Sequence, residues 1–276
     1  MANRNSASRR RFISGTALAG AGALAMAGTP AFAQSTPEGE TEFDREADVL
    51  VVGLGLAGLT ATLRSLDLGV ENVVAIEKDS TGDWIGGNFI LSGQFIHIAL
   101  TSPLADAEVL REAIDLATDG TADPDTSEVL VENGARAVHW LGEMGVEFNT
   151  DSQIGVQVAP GKIGLWPYWW RKSKPGAEGD YREFGGFKAA KHLESEILDA
   201  GGTILYGRTA IKLIVNDTYD VVGVVVRDEE GAYERIGAKA VILCTGGYQA
   251  NRELMTRYFG PRAENLVASG TPYNKG

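Results

Sequence analysis

The glycines at 53, 55 and 58 stand in the run Gly53-Leu54-Gly55-Leu56-Ala57-Gly58, directly after the apolar stretch Asp48-Val-Leu-Val-Val52. Each has a physical job in one kind of chemistry, the binding of a dinucleotide. Gly53 permits a tight turn, Gly55 lets the backbone approach a pyrophosphate, and Gly58 lets a helix pack closely on a strand. The residues that follow, Leu59 to Leu68, read as that helix, stopped by Gly69. Its N-terminus offers free N–H groups and the positive end of a dipole to phosphate oxygens. Leu56 and Ala57 belong to this first turn and count as candidate contacts. A second apolar run, Asn72 to Ile76, ends at Glu77-Lys78, 24 residues after Gly53. A carboxylate there can accept hydrogen bonds from ribose hydroxyls. A G-x-G-x-x-G by itself is a common pattern. Its place between a strand and a helix, with an acid after the next strand, makes it a dinucleotide-binding unit. The motif does not choose between NAD and FAD.

The next segment bears on that choice. An NAD domain would return to a helix soon after the second strand. Here the chain continues through Gly86-Gly87-Asn88-Phe-Ile-Leu-Ser92-Gly93, an irregular glycine-rich crossing. Its backbone N–H groups could reach a second part of a long cofactor; a plain surface loop is the alternative. Downstream, Ala240 to Cys244 reads as a buried strand running into Thr245-Gly246-Gly247. A strand ending in that way brings its backbone close to a bound group, and the same dinucleotide is the candidate.

The elements that must hold these residues are those of an α/β domain. Helices are expected over Leu104–Ala117, from Asp123-Pro124 to Gly145, and over Phe187–Ala200. In the second of these, Val129, Leu130, Val138, Leu141 and Met144 are expected to form one buried face. Strands are expected over Thr203–Tyr206, Ala210–Val215 and Val221–Arg227, with a hairpin turn at Gly231. The aromatic stretch Trp166-Pro-Tyr168-Trp169-Trp170, followed by Arg171, Lys172 and Lys174, is either the mouth of a cofactor or substrate site or a packing cluster.

Composition narrows the classes. Hydrophobic residues make up 44% of the 276-residue chain and charged residues 22%, which is globular composition rather than that of a disordered or fibrous chain. The net charge of −12 argues against nucleic-acid backbones as partners. It does not oppose an anionic cofactor held by backbone N–H groups. With one cysteine, Cys244, no internal disulfide and no cysteine-based cluster can form, and no Cys-x-x-Cys-His haem motif occurs. His97, His139 and His192 lack metal-ligand spacing.

The first 33 residues read as an address. Ser-Arg9-Arg10-Arg-Phe-Ile-Ser precedes an Ala/Gly-rich apolar stretch and then Ala31-Phe32-Ala33, a small-x-small cleavage site. This resembles a twin-arginine export signal, and the apolar run is short of the ~20 strongly apolar residues a membrane span needs. Export to the periplasm or the extracytoplasmic face, with no stable span after cleavage, is the expectation. Residues 34–46 read as a polar linker and 47–276 as the dinucleotide-binding domain.

From about Glu46 onward the chain resembles the FAD-dependent flavoproteins of the fumarate reductase/succinate dehydrogenase group. This group includes soluble fumarate reductases, urocanate reductase, 3-ketosteroid dehydrogenases and tricarballylate dehydrogenase. The residues that carry the resemblance are Gly53, Gly55 and Gly58, Glu77-Lys78, Gly86-Gly87-Asn88, Ser92-Gly93, the Trp140-to-Phe148 stretch and Thr245-Gly246-Gly247. The resemblance implies a Rossmann-like FAD-binding domain of the glutathione-reductase type. It implies FAD, with Glu77 on the adenosine ribose and Gly87, Asn88, Ser92 and Gly93 along the pyrophosphate and flavin. It places backbone atoms of Ile211 near the adenine and Thr245-Gly246 beside the pyrophosphate. It further implies hydride transfer between flavin N5 and an activated C=C or CH–CH bond of a small molecule, with electrons exchanged through a separate partner. Phe89 stands where the group usually has Ser or Thr, and Cys244 replaces a common alanine. No histidine follows Asn88 as in histidyl-linked members, so noncovalent FAD is expected. Relatives continue past the Pro272-to-Gly276 region into a capping domain that carries catalytic residues. The chain is therefore expected to be an N-terminal portion, with the cap absent and no catalytic residue of the group carried onto it. An NAD-dependent dehydrogenase and a non-catalytic FAD-binding remnant, or one half of a split enzyme, are the competing readings.

Overall fold

The computed structural model describes residues 42–91, 96–99, 107–146, 148–149, 163–167, 185–267 and 270–276. The central apolar run becomes strand β1 (Arg45–Val52), followed by helix α1 (Leu56–Asp67) and strand β2 (Val73–Ile76). The polar residues Arg45 and Glu46 are drawn into β1, which starts three positions earlier than the apolar pattern suggests, because they pair with Ile236 and Gly237. A 3-10 turn, Gly87–Leu91, lies within the glycine-rich crossing. Then come β3 (Ile96–Ala99), α2 (Ala107–Thr118), α3 (Pro124–Glu143), β4 (Phe148–Asn149) and β5 (Ile163–Pro167). The chain continues through α4 (Gly185–Asp199), β6 (Thr203–Leu205), β7 (Thr209–Val215), β8 (Val221–Arg227), β9 (Tyr233–Leu243) and α5 (Arg252–Phe259).

Six strands form one sheet in the order β6-β2-β1-β9-β8-β7. β6, β2, β1 and β9 run parallel, while β9, β8 and β7 form an antiparallel meander. β9 serves both parts: Tyr233–Gly237 pair with β8, and Ile236–Leu243 pair with β1. The meander turns at Gly231, between Asp228 and Ala232, as the hairpin pattern predicts. A smaller antiparallel sheet has the order β3-β5-β4.

The unbroken apolar run of β1 has a direct cause. Successive side chains of a strand point to opposite faces, and both faces here are covered. Val51 and Ala75 enter a core with Leu59 and Leu63 of α1 and Ala189, Ala190, Leu193 and Ile197 of α4. Leu50, Val52, Val74 and Ile76 enter a second core with Val224, Val226 and Ile236 of the meander. Strands buried on both sides lose the polar alternation that a one-sided strand keeps.

Helix α3 is capped by Asp123, whose side chain accepts from the N–H groups of Asp125 and Thr126. Its buried residues are Val131, Gly134, Val138 and Leu141. Val129 is 61% exposed, contrary to expectation. Nine residues separate it from Val138, and at about 100° per residue that is half a turn round the helix. Leu130 is also exposed, whereas its neighbour Val131 is buried.

Candidate functional site

The carboxyl ends of β1, β2 and β9 converge on one cleft of about 560 Å³. At its floor the chain turns from β1 into α1. Gly53 has φ +91°, a conformation L side chains rarely adopt, and its N–H donates to Ile76 O at 2.8 Å. A Cβ on Gly58 would lie 1.8 Å from Gly53 O, so the helix reaches this turn only with glycine there. Gly58 does not line the cleft; its work is close packing. Gly55 caps α1 with no side-chain hydrogen bond, and the first bond of the helix runs from Leu59 N to Gly55 O. The N–H groups of Leu56, Ala57 and Gly58 lie ahead of that bond, the arrangement that makes a helix start an anion site.

The glycine-rich crossing lies directly on this turn. Gly86 N donates to Leu54 O at 2.8 Å, and Gly55 and Gly86 form an isolated parallel bridge. A Cβ on Gly87 would sit 3.2 Å from Gly55 Cα. Segments some thirty residues apart in sequence thus form one wall.

Glu77 sits at the end of β2 and is buried. One carboxylate oxygen accepts from Leu54 N at 2.7 Å and the other from Asp79 N at 3.1 Å. These bonds fix the carboxylate beside the anion site. A carboxylate has about four lone-pair positions, so acceptor capacity remains for ligand hydroxyls. Lys78 follows it into the cleft, where burial pulls its amine below the ordinary lysine range; Glu77 opposes that shift and Lys275 adds to it.

Asp79 is fully buried beneath the crossing. Its carboxylate accepts from Thr81 N and Oγ1, from Trp84 N at 2.9 Å and from the Tyr273 hydroxyl at 3.2 Å. Burial pushes its pKa up, but the bonds from Trp84, Thr81 and Tyr273 outweigh that and hold it below the ordinary value. Asn88 Oδ1 accepts from Thr271 N at 2.9 Å. Asp79 and Asn88 together hold segment 270–276 along the cleft edge.

Of the residues singled out in the sequence, Gly53, Gly55, Leu56, Ala57, Glu77, Lys78, Gly86, Gly87, Asn88, Thr245 and Gly246 line this cleft. Gly247 does not; a Cβ on it would meet Gln249 Oε1. Ile211 is also outside the lining, with its side chain 43% exposed, and the wall there is made by Arg208, Thr209 and Ala210. The lining stretch at the start of this strand thus lies one to three residues before Ile211. Ser92 and Gly93 lie outside the described residues, as do Tyr168, Trp169, Trp170, Arg171, Lys172 and Lys174.

Several lining residues were missed: Trp84, Arg208 to Ala210, and Thr271, Tyr273 and Asn274. Tyr273 packs edge-on to Trp84, with ring centroids 6.5 Å apart. No local signal marks these tail residues, because their partners Asp79 and Asn88 are nearly two hundred positions away. Cys244 lines the cleft too, and burial raises its thiol pKa, so it is a neutral packing group rather than a thiolate nucleophile.

A parallel sheet with its ligand cleft outside the carboxyl ends of the strands, and a glycine turn leading into a helix, define a dinucleotide-binding α/β protein. The cleft fits FAD: it has an anion site, a fixed carboxylate beside it, and a second glycine wall for a long ligand. The family comparison agrees. Residues 48–276 match the FAD binding domain family, and the chain belongs to it. The cofactor of this family is FAD, and the relatives that resemble this chain include proteins named as reductases.

Three similarities are informative. The Shewanella frigidimarina protein named "Probable fumarate reductase Ifc3" is 28% identical over 235 residues, which is 80% of this chain and 35% of that protein. Urocanate reductase of Eggerthella lenta is 28% identical over 249 residues, 84% of this chain and 36% of that enzyme. The open conformation of a flavocytochrome c3 fumarate reductase superposes with a TM-score of 0.68 at 26% identity, covering 84% of this chain and 39% of that one. The chain thus spans about a third of the length of the curated relatives it matches.

Proposed function

We propose that this chain is the FAD-binding part of an exported oxidoreductase that acts on activated C=C or CH–CH bonds. The substrate class would be a small unsaturated carboxylate, a ketosteroid or a similar compound. Bound FAD would supply hydride transfer at N5, in either direction. The protein's part is to bind and orient. In this reading the α1 N-terminus, with Gly53, Gly55, Leu56 and Ala57, takes the pyrophosphate. Glu77 takes the adenosine ribose, with Lys78 beside it. Gly86, Gly87 and Asn88 run along the pyrophosphate and flavin, Thr209 and Ala210, just before Ile211, lie near the adenine, and Thr245 and Gly246 pass by the pyrophosphate. Attachment is noncovalent, and electrons are exchanged with a separate partner protein.

The observation that carries this reading is the convergence of three glycine-bearing segments and Glu77 on one cleft, although the sequence scatters them from 53 to 246. The export half rests on Arg9-Arg10, the apolar stretch after it and Ala31-Phe32-Ala33, read as a signal over residues 1–33 with a linker to 46. Among the described residues no helix is long and apolar enough to cross a membrane.

The test is the visible spectrum of the purified chain after FAD is added and the excess removed by desalting. Retained flavin absorbance is expected. Protein that folds, rejects FAD and binds NAD would refute the proposal.

A further inference from the structure

We infer that Asp79 is a positioning residue for the cofactor: through the Tyr273 hydroxyl it keeps segment 270–276 strapped between two walls of the cleft, and the strap slows cofactor release. The inference rests on the FAD reading above and adds to it a control on how long the cofactor stays.

Asp79 is fully buried and is not among the residues that line the cleft. A carboxylate in such a place needs hydrogen bonds to offset its lost hydration. Two of the residues it holds do line the cleft. Oδ2 accepts from Trp84 N at 2.9 Å, and Oδ1 accepts from the Tyr273 hydroxyl at 3.2 Å. Trp84 immediately precedes the Gly86-Gly87 crossing, while Tyr273 is 194 residues away from Asp79 in sequence. Their rings meet edge-on above the shared acceptor. Oδ1 also accepts from Thr81 N and Thr81 Oγ1. The carboxylate is therefore satisfied without the tyrosine, and the bond serves the segment that carries Tyr273.

That segment joins two walls. Thr271, Tyr273, Asn274 and Gly276 all line the cleft. On the side of the crossing, Thr271 N donates to Asn88 Oδ1 and Tyr273 to Asp79. On the other side, Asn274 O accepts from Ala250 N at 2.8 Å, and Lys275 O accepts from Asn251 Nδ2 at 2.9 Å. A Cβ on Gly276 would come within 3.0 Å of Leu254 Cδ1 and 3.2 Å of Tyr248 Cβ. These partners follow directly on Thr245-Gly246. The strap thus runs from the Gly86-Gly87 wall to the Thr245-Gly246 wall, and a dinucleotide held between them lies along it. Its ties to the crossing depend on two side chains, Asn88 and Asp79. Asn88 lines the cleft itself. Asp79 does not, so it acts on the ligand only through the residues it holds.

The test compares the full chain with Tyr273→Phe, Asp79→Asn and the double variant. FAD release is timed by the recovery of free-flavin fluorescence on dilution, and association by its quenching on mixing. Apo melting temperatures are recorded alongside. Loss of one hydrogen bond to a charged group predicts release about tenfold faster in Tyr273→Phe. Association should change by less than about twofold, since the change falls on the dissociation rate. The double variant should release FAD no faster than Asp79→Asn alone, because both substitutions remove the same bond. A merely structural bond would lower the apo melting temperature and leave release unchanged, and that result overturns the inference. So does a double variant faster than Asp79→Asn by the full factor seen in Tyr273→Phe. If Asp79→Asn fails to fold, Tyr273→Phe decides alone, since it leaves the bonds from Thr81 and Trp84 in place. Failure of the unaltered chain to bind FAD refutes the flavin reading and this inference with it; binding by the unaltered chain with equal release from Tyr273→Phe refutes the positioning role alone.

Discussion

Substituting Gly58 by alanine separates what holds the fold from what holds the ligand. A Cβ there would stand 1.8 Å from Gly53 O and 2.8 Å from Gly53 C. Both are backbone atoms, so no side chain can swing aside. An ordinary contact of about 3.4 Å needs the helix start to move by roughly 1.6 Å from the β1 turn. Alanine favours helix over glycine by about 1 kcal/mol, but overpacking a tight contact costs typically 1–3 kcal/mol and occasionally more. With a contact this short, the net expectation is a loss of about 2 kcal/mol, or ~4–8 °C in melting temperature for a domain of this size. The same displacement moves the N–H groups of Leu56 and Ala57, so FAD affinity should fall at least tenfold. Gly55→Ala is the matched control. Gly55 has φ −63°, and its Cβ would meet nothing nearer than Gly86 O at 3.9 Å. Alanine fits there without ligand, so the apo melting temperature should be unchanged while FAD binding weakens. Thermal melts and flavin fluorescence titrations on both variants provide the assay. Gly58→Ala melting within a degree of the unaltered chain would refute the packing argument. Gly55→Ala binding FAD normally would refute the close approach of ligand to that backbone.

Other outcomes follow from the same geometry. Glu77→Gln replaces an acceptor of two backbone N–H groups by an amide with one oxygen, and should cost about 1.5–3 kcal/mol in urea unfolding as well as weakening FAD. Asp79 has its pKa held below 3.8 in the folded chain, so its contribution is present above that value and is lost as pH falls through the folded pKa. Asp79→Asn should therefore lower stability at neutral pH and flatten the acid limb of a stability–pH curve; an unchanged acid limb would contradict this. The raised thiol pKa of Cys244 predicts slower alkylation by iodoacetamide at pH 8 than a free cysteine shows, and slower still with FAD bound, as mass spectrometry would measure.

The wall of segment 270–276 shows where sequence reading stops. Gly53, Gly55 and Gly58 were legible because their jobs are local: a turn, a backbone approach and a helix start all lie within six residues. Glu77 was legible because a strand of fixed length carries it to the same edge. Tyr273 and Asn274 were not, since a tyrosine hydroxyl meeting Asp79 Oδ1 and an amide against Gly246 depend on contacts that no periodicity encodes. Val129 failed for a related reason: an apolar residue on a helix declares no face until its neighbours choose one.

The amino-acid sequence by itself determined the alternation of strands and helices, the dinucleotide turn and the acid beside it. Local backbone geometry and burial on both faces of β1 leave few other solutions for those residues. Tertiary structure alone decided that the crossing at Gly86-Gly87 lies on the Gly55 turn and that β9 serves two sheets' worth of pairing. It also decided that Arg208–Ala210, rather than Ile211, face the cleft. Those outcomes depend on register and on long-range packing, where a shift of one residue along a strand turns a side chain from cleft to solvent.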